Sequence, residues 1–422
     1  MKESPYPLEH TLGMRWYASN TPGTGGRLRE SAEDFVVDEI PAETGTEGAH
    51  LICRLTKKDW ELQRAVREIA KQLSISHRRI GWTGTKDKHA LTTQLISIQG
   101  IEEGDLSRIR LRDLELVPVG RSASPLALGS HQANRFSITI RNTSSPDLPS
   151  IAAAVSETCT QGLPNFFGIQ RFGVIRPITH LVGEKILEGN IQGAVDCYVG
   201  AAFPDEPDDV REARTAYYEE GDPLRALRAL PVPLTYERAM LHHLVSHPGD
   251  YRGALLSLPP RLLSMFVSAF QSFLFNVALS ARMERDPEFY LPHHGDRLIF
   301  ADGRDDVVTE GTLTAALMQV RRGRCRIAIM MPGSRDLHEK GEDDCTISSI
   351  LTSKGIDHES FSTASTLVHT RYDGALRPVS LTTDIKSTIE GSNLNISFSL
   401  PPGQYATTVC REFMKADPRD MI

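Results

Sequence analysis

The feature that most constrains the fold is β patterning at two places far apart in the chain. Arg135 to Arg141 alternates strictly, with Phe136, Ile138 and Ile140 set against Arg135, Ser137, Thr139 and Arg141. That is the period of a strand with one core face and one wet, partly basic face. β character returns at Asn393 to Ser399, and Pro401-Pro402-Gly403 then opens a helix in which Ala406, Val409, Cys410 and Phe413 share a face. From about 175 to 380 the texture differs: helical stretches, Pro and Gly breaks, an acidic patch at Asp205 to Glu212 and few clean alternating strands. A β pattern that resumes after so long an interruption implies a discontinuous domain. We expect its first part in 1–170, an inserted domain in 171–380, and a last strand and helix in 381–422.

Within the first part, Asp34 to Ile40 and His50 to Leu55 read as strands, the second with Leu51, Cys53 and Leu55 on one face, and together they suggest a hairpin-like start. Asp59 can cap a helix from Trp60 to Leu73. Its apolar residues Leu62, Val66, Ile69 and Leu73 fall at helical spacing and leave Arg64, Arg67, Glu68 and Lys71 towards solvent. Gly81 to His89 is too rich in Gly, Thr and charge for a core element, and leads into a strand from Thr92 to Gln99. Ile151 to Thr160 reads as a helix ended by Gly162 and Pro164.

Composition bounds the function classes. The 422 residues, 40% hydrophobic and 24% charged, suit a globular protein of two or three domains. A formal net charge of -7 is not the global footprint of a nucleic-acid binder. Locally the balance reverses: Leu51 to Ala90 holds ten Lys and Arg against four Asp and Glu. Such a stretch is either a solvated face or a site for a polyanion. The six cysteines are scattered without Cys-x-x-Cys or Cys/His spacing, so neither a zinc site nor a disulfide framework is expected, and a reduced, cytoplasmic setting fits. Met1-Lys2-Glu3-Ser4-Pro5 opens without the apolar run of a signal peptide. Leu262 to Leu279 approaches membrane-spanning length. Ser264, Ser268, Ser272 and Asn276, recurring every fourth residue beside Gln271, instead suggest a buried helix that uses a polar stripe for hydrogen bonds.

Several constellations could carry chemistry. Gly23 to Gly26 lacks the Lys-Ser/Thr pair of a phosphate loop and reads as a flexible loop. Thr85-Lys86-Asp87 has the wrong surroundings for nucleotide triphosphate recognition, and the pairs His242-His243 and His293-His294 lack ligand spacing and read as surface residues. Gly81 to Ala90 is either a polar turn in which Asp87 bonds its own backbone, or a loop presenting a nucleophile. In Asn165 to Gly173 the aromatic residues are either core or a platform on which Phe167 stacks an extruded base beside Asn165 and Arg171. Arg29 is either a surface residue or the cation that keeps a catalytic carboxylate ionised and oriented.

Taken together these segments resemble the TruD family of tRNA pseudouridine synthases. The resemblance lies in the entry strand at Arg29 through Glu39, the loop at Gly84 through Gln94 and the element Asn165 through Gly173. It continues in the helix at Ser268 through Asn276 and the element Gly403 through Glu412. Departures fall at Ala32, Gln404 and Cys410, which stand where the family often has Pro, Ser and Leu. The resemblance implies an α+β fold: a discontinuous catalytic domain of the pseudouridine-synthase type, a mixed or antiparallel sheet with flanking helices, and an inserted α/β domain. It implies Asp87 as nucleophile, Asn165 as its orienting partner, Phe167 as the ring stacked on the target uracil and Arg29 as the paired base. Arg27, one strand-period from Arg29, is the alternative partner.

The implied reaction isomerises a uridine of tRNA, at position 13, to pseudouridine, with no cofactor, no metal and no membrane. Attack at the ribose C1′ and attack at C6 of the base both remain open. Lys57, Lys58, Arg78, Arg79, Lys86 and Arg171 are the candidate substrate-binding residues, with a basic helix from Lys57 to Arg79 against the phosphate backbone. Two other readings stay open: a tRNA-binding or folding factor without turnover, and a two-carboxylate glycosidase using Asp87 with Glu33 or Asp34.

Overall fold

A computed structural model describes residues 1–42, 45, 47–335 and 341–421. They fall into two compact units, one of Met1–Ala18 with Pro164–Ser380 and one of Ser19–Leu163 with Leu381–Ile422. The first eighteen residues thus group with 164–380, whereas the sequence pattern places them with the residues that follow.

The second-named unit is built on a mixed sheet. Its strands are β1 (Phe35–Ile40), β2 (His50–Lys58), β3 (Leu91–Gln99), β4 (Leu114–Ser122), β5 (Ala133–Ile140), β6 (Lys386–Glu390) and β7 (Asn393–Leu400), in the order β6-β7-β5-β1-β3-β2-β4. A short strand, Ile80–Trp82, pairs with part of β3. The two alternating stretches that are distant in sequence are neighbours: Ile138 of β5 lies opposite Ile396 of β7. Phe136 and Phe398 stack across this pair with ring centroids 5.4 Å apart. β1 and β2 are not a hairpin. β1 runs parallel to β3, and β2 pairs with β3 and β4, so the connection after β1 crosses over.

Helix α1 (Leu62–Gln72) covers one face of this sheet. Leu62, Val66 and Ile69 pack with Leu51, Cys53 and Leu55 of β2, each burial being worth roughly 1.5–3 kcal/mol. Its N-cap is Glu61 rather than Asp59: the Glu61 carboxylate accepts from the amides of Gln63 and Arg64 at 3.0 and 2.8 Å. Asp59 has a left-handed φ of 58° and belongs to the turn before the helix. Helix α2 (Leu148–Gln161) and helix α3 (Ala406–Met414) complete the unit; every residue of α3 is buried, not one face alone.

The Gly23 to Gly26 segment is packed, not flexible. The amides of Thr24 and Gly25 donate to the Phe413 and Met414 carbonyls at 2.8 and 3.0 Å. A Cβ on Gly23, whose φ is 97°, would stand 2.5 Å from the Met414 oxygen.

The other unit centres on the 26-residue helix Pro260–Arg285, with shorter helices and a four-stranded sheet formed by Arg297–Phe300, Asp305–Val307, Cys325–Met331 and Ala375–Pro378. The polar stripe of the long helix is used internally. Ser268 and Ser272 donate to the carbonyls one turn back, and Asn276 is fully buried. Within the acidic patch, Asp208 and Asp209 occupy the first turn of the helix Asp208–Glu220, where negative charge opposes the helix dipole. Glu206 instead pairs with the buried Arg214 at 2.7 Å.

Candidate active site

The loop from Thr83 to Ala90 sits at a break in the sheet. On one side of β3, Leu91–Thr93 pairs with β1 and Ile96–Ile98 pairs with Ile80–Trp82. Gln94 and Leu95 lie between these pairings and find other partners. Gln94 Nε2 donates to the Gly84 carbonyl at 2.9 Å, and the Leu95 amide donates to Glu39 Oε1 at 3.1 Å. The other oxygen of Glu39 accepts from the Thr83 hydroxyl at 2.5 Å and the Lys86 ammonium at 2.7 Å. Both charged side chains are at most 5% exposed. Three donors on one buried carboxylate compensate its charge and pin the loop to the sheet. Lys86 therefore anchors the loop and does not stand free for substrate.

Asp87, at the exposed part of this loop, is held from two sides. Its carbonyl accepts from the Lys57 ammonium at 3.0 Å, and its Oδ2 lies 3.4 Å from Nη2 of Arg29. The carboxylate is half-exposed and the Arg29 side chain is nearly buried. The Arg29 guanidinium lies 4.1 Å from the Phe35 ring centroid, and Nη1 reaches the Met421 carbonyl at 3.4 Å. Arg29 has a φ of 58°, a conformation that costs a side-chain-bearing residue about 1 kcal/mol or more. This departure from strand geometry is why the strand period could not separate Arg29 from Arg27. Arg27 instead bridges to Arg141 and pairs with Asp420 at 3.5 Å.

The basic residues divide into anchored and exposed sets. Lys57 is fully buried, Lys58 pairs with Glu33, and Arg79 donates to the carbonyls of Gln99 and Gly100. The stretch from Lys57 to Arg79 is not one helix but the end of β2, α1 and a 3₁₀ turn at His77–Arg79. Arg64, Arg67, Lys71 and Arg78 are exposed. Beside them runs a second basic row. Gln72 accepts from the Arg110 amide at 2.6 Å and the Trp60 indole donates to the Arg112 carbonyl at 3.0 Å, which fixes exposed Arg108, Arg110 and Arg112 along α1. Counting charge over a single stretch of sequence missed this row; a count over Arg108 to Arg112 would have found it.

Within the other unit, Asn165 and Phe167 are tied into a buried cluster. Asn165 Nδ2 donates to the Pro378 carbonyl at 2.9 Å, and its Oδ1 accepts from Arg377 at 2.8 Å. The Arg377 guanidinium lies 3.8 Å from the centroid of the Phe167 ring, which Phe275 meets edge-on at 5.6 Å. Asn276 clasps the Phe167 main chain from both sides, accepting its amide at 2.9 Å and donating to its carbonyl at 3.0 Å. Phe167 is 6% exposed, so its ring is a clamped element and not the open platform expected. Arg171 donates to Ser272 of the polar stripe at 3.1 Å. Arg377 was not foreseen: its neighbours in sequence carry no catalytic pattern, and only the tertiary fold brings it to Asn165. Among the described residues, no group of three or more His, Cys, Asp or Glu is arranged to hold a metal ion.

Comparison with known proteins agrees with this fold. The family described as tRNA pseudouridine synthase D (TruD) matches residues 11–413. The proteins named probable tRNA pseudouridine synthase D from Methanococcoides burtonii and Methanosarcina acetivorans are 38% and 39% identical, each over 98% of both chains. A crystal structure of the Methanosarcina mazei protein of that name superposes with a TM-score of 0.83 at 35% identity, covering 99% of each chain. The α+β architecture is thus that of a solved relative, and the chain belongs to the TruD family of tRNA pseudouridine synthases.

Proposed function

We propose that the protein converts a uridine of tRNA, the one at position 13, to pseudouridine with Asp87 as nucleophile. The observation that carries this is the Arg29–Asp87 pair: a half-exposed carboxylate on a loop anchored through Glu39 and Lys57, with a nearly buried guanidinium at 3.4 Å. A carboxylate so placed can attack the ribose C1′ or C6 of the base, and the adduct holds the fragments while the uracil turns and rejoins through C5. Arg29 holds the charge and direction of the attacking oxygen. In this reading the roles that the resemblance gives to Asn165 and Phe167 fall to the cluster held by Arg377 and Phe275, and an extruded uracil meets only the small part of Phe167 that stays exposed. Arg64, Arg67, Lys71 and Arg78, with the adjoining Arg108 to Arg112 row, contact the phosphate backbone, and Arg171 contributes from the Phe167 segment.

The test is tritium release from C5-labelled uridine in tRNA by the wild type and by Asp87→Asn. Release by the wild type and none by the variant supports the proposal. Release by both removes Asp87 from the role of nucleophile. A silent wild type that still binds tRNA makes the protein a binding factor.

A further inference from the structure

The core face of β2 carries Leu51, Cys53 and Leu55, and the next residue in that period is Lys57. Lys57 is 0% exposed. A hydrophobic side chain here would extend the row without desolvating an ammonium, so the lysine needs a reason beyond packing. Its Nζ donates to the Trp60 carbonyl at 2.7 Å and to the Asp87 carbonyl at 3.0 Å. Among the described residues no carboxylate forms an ion pair with it. The charged groups around it are Asp87, Glu61 and Asp59, which favour the ammonium, and Lys86, which opposes it.

We propose that Lys57 is the positioning residue of this active site: from the core side of the sheet it clamps the main chain of Asp87, and so fixes where the carboxylate stands. The inference rests on Asp87 being the nucleophile. Arg29 acts on the carboxylate itself, whereas Lys57 acts on the backbone that carries it. With both in place, the side chain is held at its tip and its root. The carbonyls of Trp60 and Asp87 also receive a donor that no aliphatic residue could supply. Burial pulls the Lys57 ammonium down to about 8, against the attraction of Asp87, so the clamp loses its charge within the range of an ordinary assay.

The experiment measures kcat and KM for tRNA in wild type, Lys57→Met and Lys57→Gln between pH 6.5 and 9.5, with a melting curve for each protein. We expect Lys57→Met to lower kcat by about 10²-fold while KM moves little, because a displaced nucleophile affects the chemical step and not the encounter with RNA. We expect wild-type kcat to fall on the alkaline side of about pH 8, and this limb to vanish in Lys57→Gln, which keeps a hydrogen-bond donor but has no charge to lose. Wild-type kcat in folded Lys57→Met overturns the proposal. If Lys57→Met does not fold, the profiles of wild type and Lys57→Gln decide: the same alkaline limb in both, or none in the wild type, overturns it. A wild type that turns over no tRNA overturns the functional reading itself, and the role of Lys57 with it.

Discussion

Arg29 and Asp87 meet at 3.4 Å across a pronounced difference in burial, the guanidinium 8% exposed and the carboxylate 53%. The cation is the fixed member and the anion the presented one. Leu28 donates to the Asp420 carbonyl at 2.9 Å and Arg29 stacks on Phe35, so the guanidinium is set before any substrate arrives. Arg29→Ala should lower single-turnover kcat by about 10²-fold, with Arg29→Lys recovering part of the loss because a point charge replaces a fork. Stopped single-turnover kinetics at saturating tRNA checks this. An unchanged rate in Arg29→Ala would separate the pair from the chemistry.

Glu39 and Lys86 form a pair whose breaking should be costly. Glu39→Gln leaves the Lys86 ammonium buried without its counter-charge, and we expect a loss of roughly 3–5 kcal/mol of stability. Glu39→Gln with Lys86→Met should recover much of that stability but not the loop geometry. Urea unfolding of the three proteins measures it, and equal stability of the single and double variants would show that the pair is not what pins the loop.

The exposed basic residues of α1 should appear in the salt dependence of binding. Replacing Arg64, Arg67 and Lys71 by Ala should weaken tRNA binding and reduce the slope of log K against log salt by about 2–3, near 0.7–0.9 for each phosphate no longer neutralised. A filter-binding series over salt reads this directly. An unaltered slope would move the RNA to another surface.

His180 gives a stability signature in acid. Its ring lies between Phe172 and Phe273, with centroids 5.3 and 5.1 Å away, and burial lowers its pKa from the ordinary 6.5 to about 4. Between these values the unfolded chain binds a proton that the folded chain refuses. The contribution is therefore fully present above pH 6.5 and is lost as the pH falls towards 4, by about 3 kcal/mol. His180→Phe should flatten that part of the curve. Melting temperatures measured from pH 4 to 7 provide the check, and identical slopes for both proteins would count against it.

Much of the sheet was legible because alternation is a local consequence of half-burial. Phe136, Ile138 and Ile140 face inward in the observed strand, and the same logic found β7 and the helical face of α1. The loop of Asp87 was legible as a loop because Gly, Thr and charge cannot fill a core. What failed was the assignment of charge to a side of the protein. By residue type Lys57 joins the substrate-binding cations although the period of Leu51, Cys53 and Leu55 places it in the core, and Lys86 reads as a ligand-facing cation because nothing local shows that Glu39 waits behind it. Asp59 looked like a cap by residue type, but capping depends on backbone geometry, and the left-handed φ passed the role to Glu61. Arg377 was beyond reach, since its meeting with Asn165 exists only in the tertiary fold.

The brace on Arg29 also orders events in time. Its supports, the Met421 carbonyl on the guanidinium and the Asp420 carbonyl on the adjoining Leu28 amide, belong to residues made after the entire 164–380 segment. A ribosome adding about 5–20 residues per second leaves Asp87 outside the exit tunnel for on the order of tens of seconds before the piece that steadies its partner exists. Until then the β5 edge that β7 will cover stays open, an invitation to pair with another nascent chain. Asp87 is thus made well before the residues that steady Arg29, and the pair is complete only when both are present.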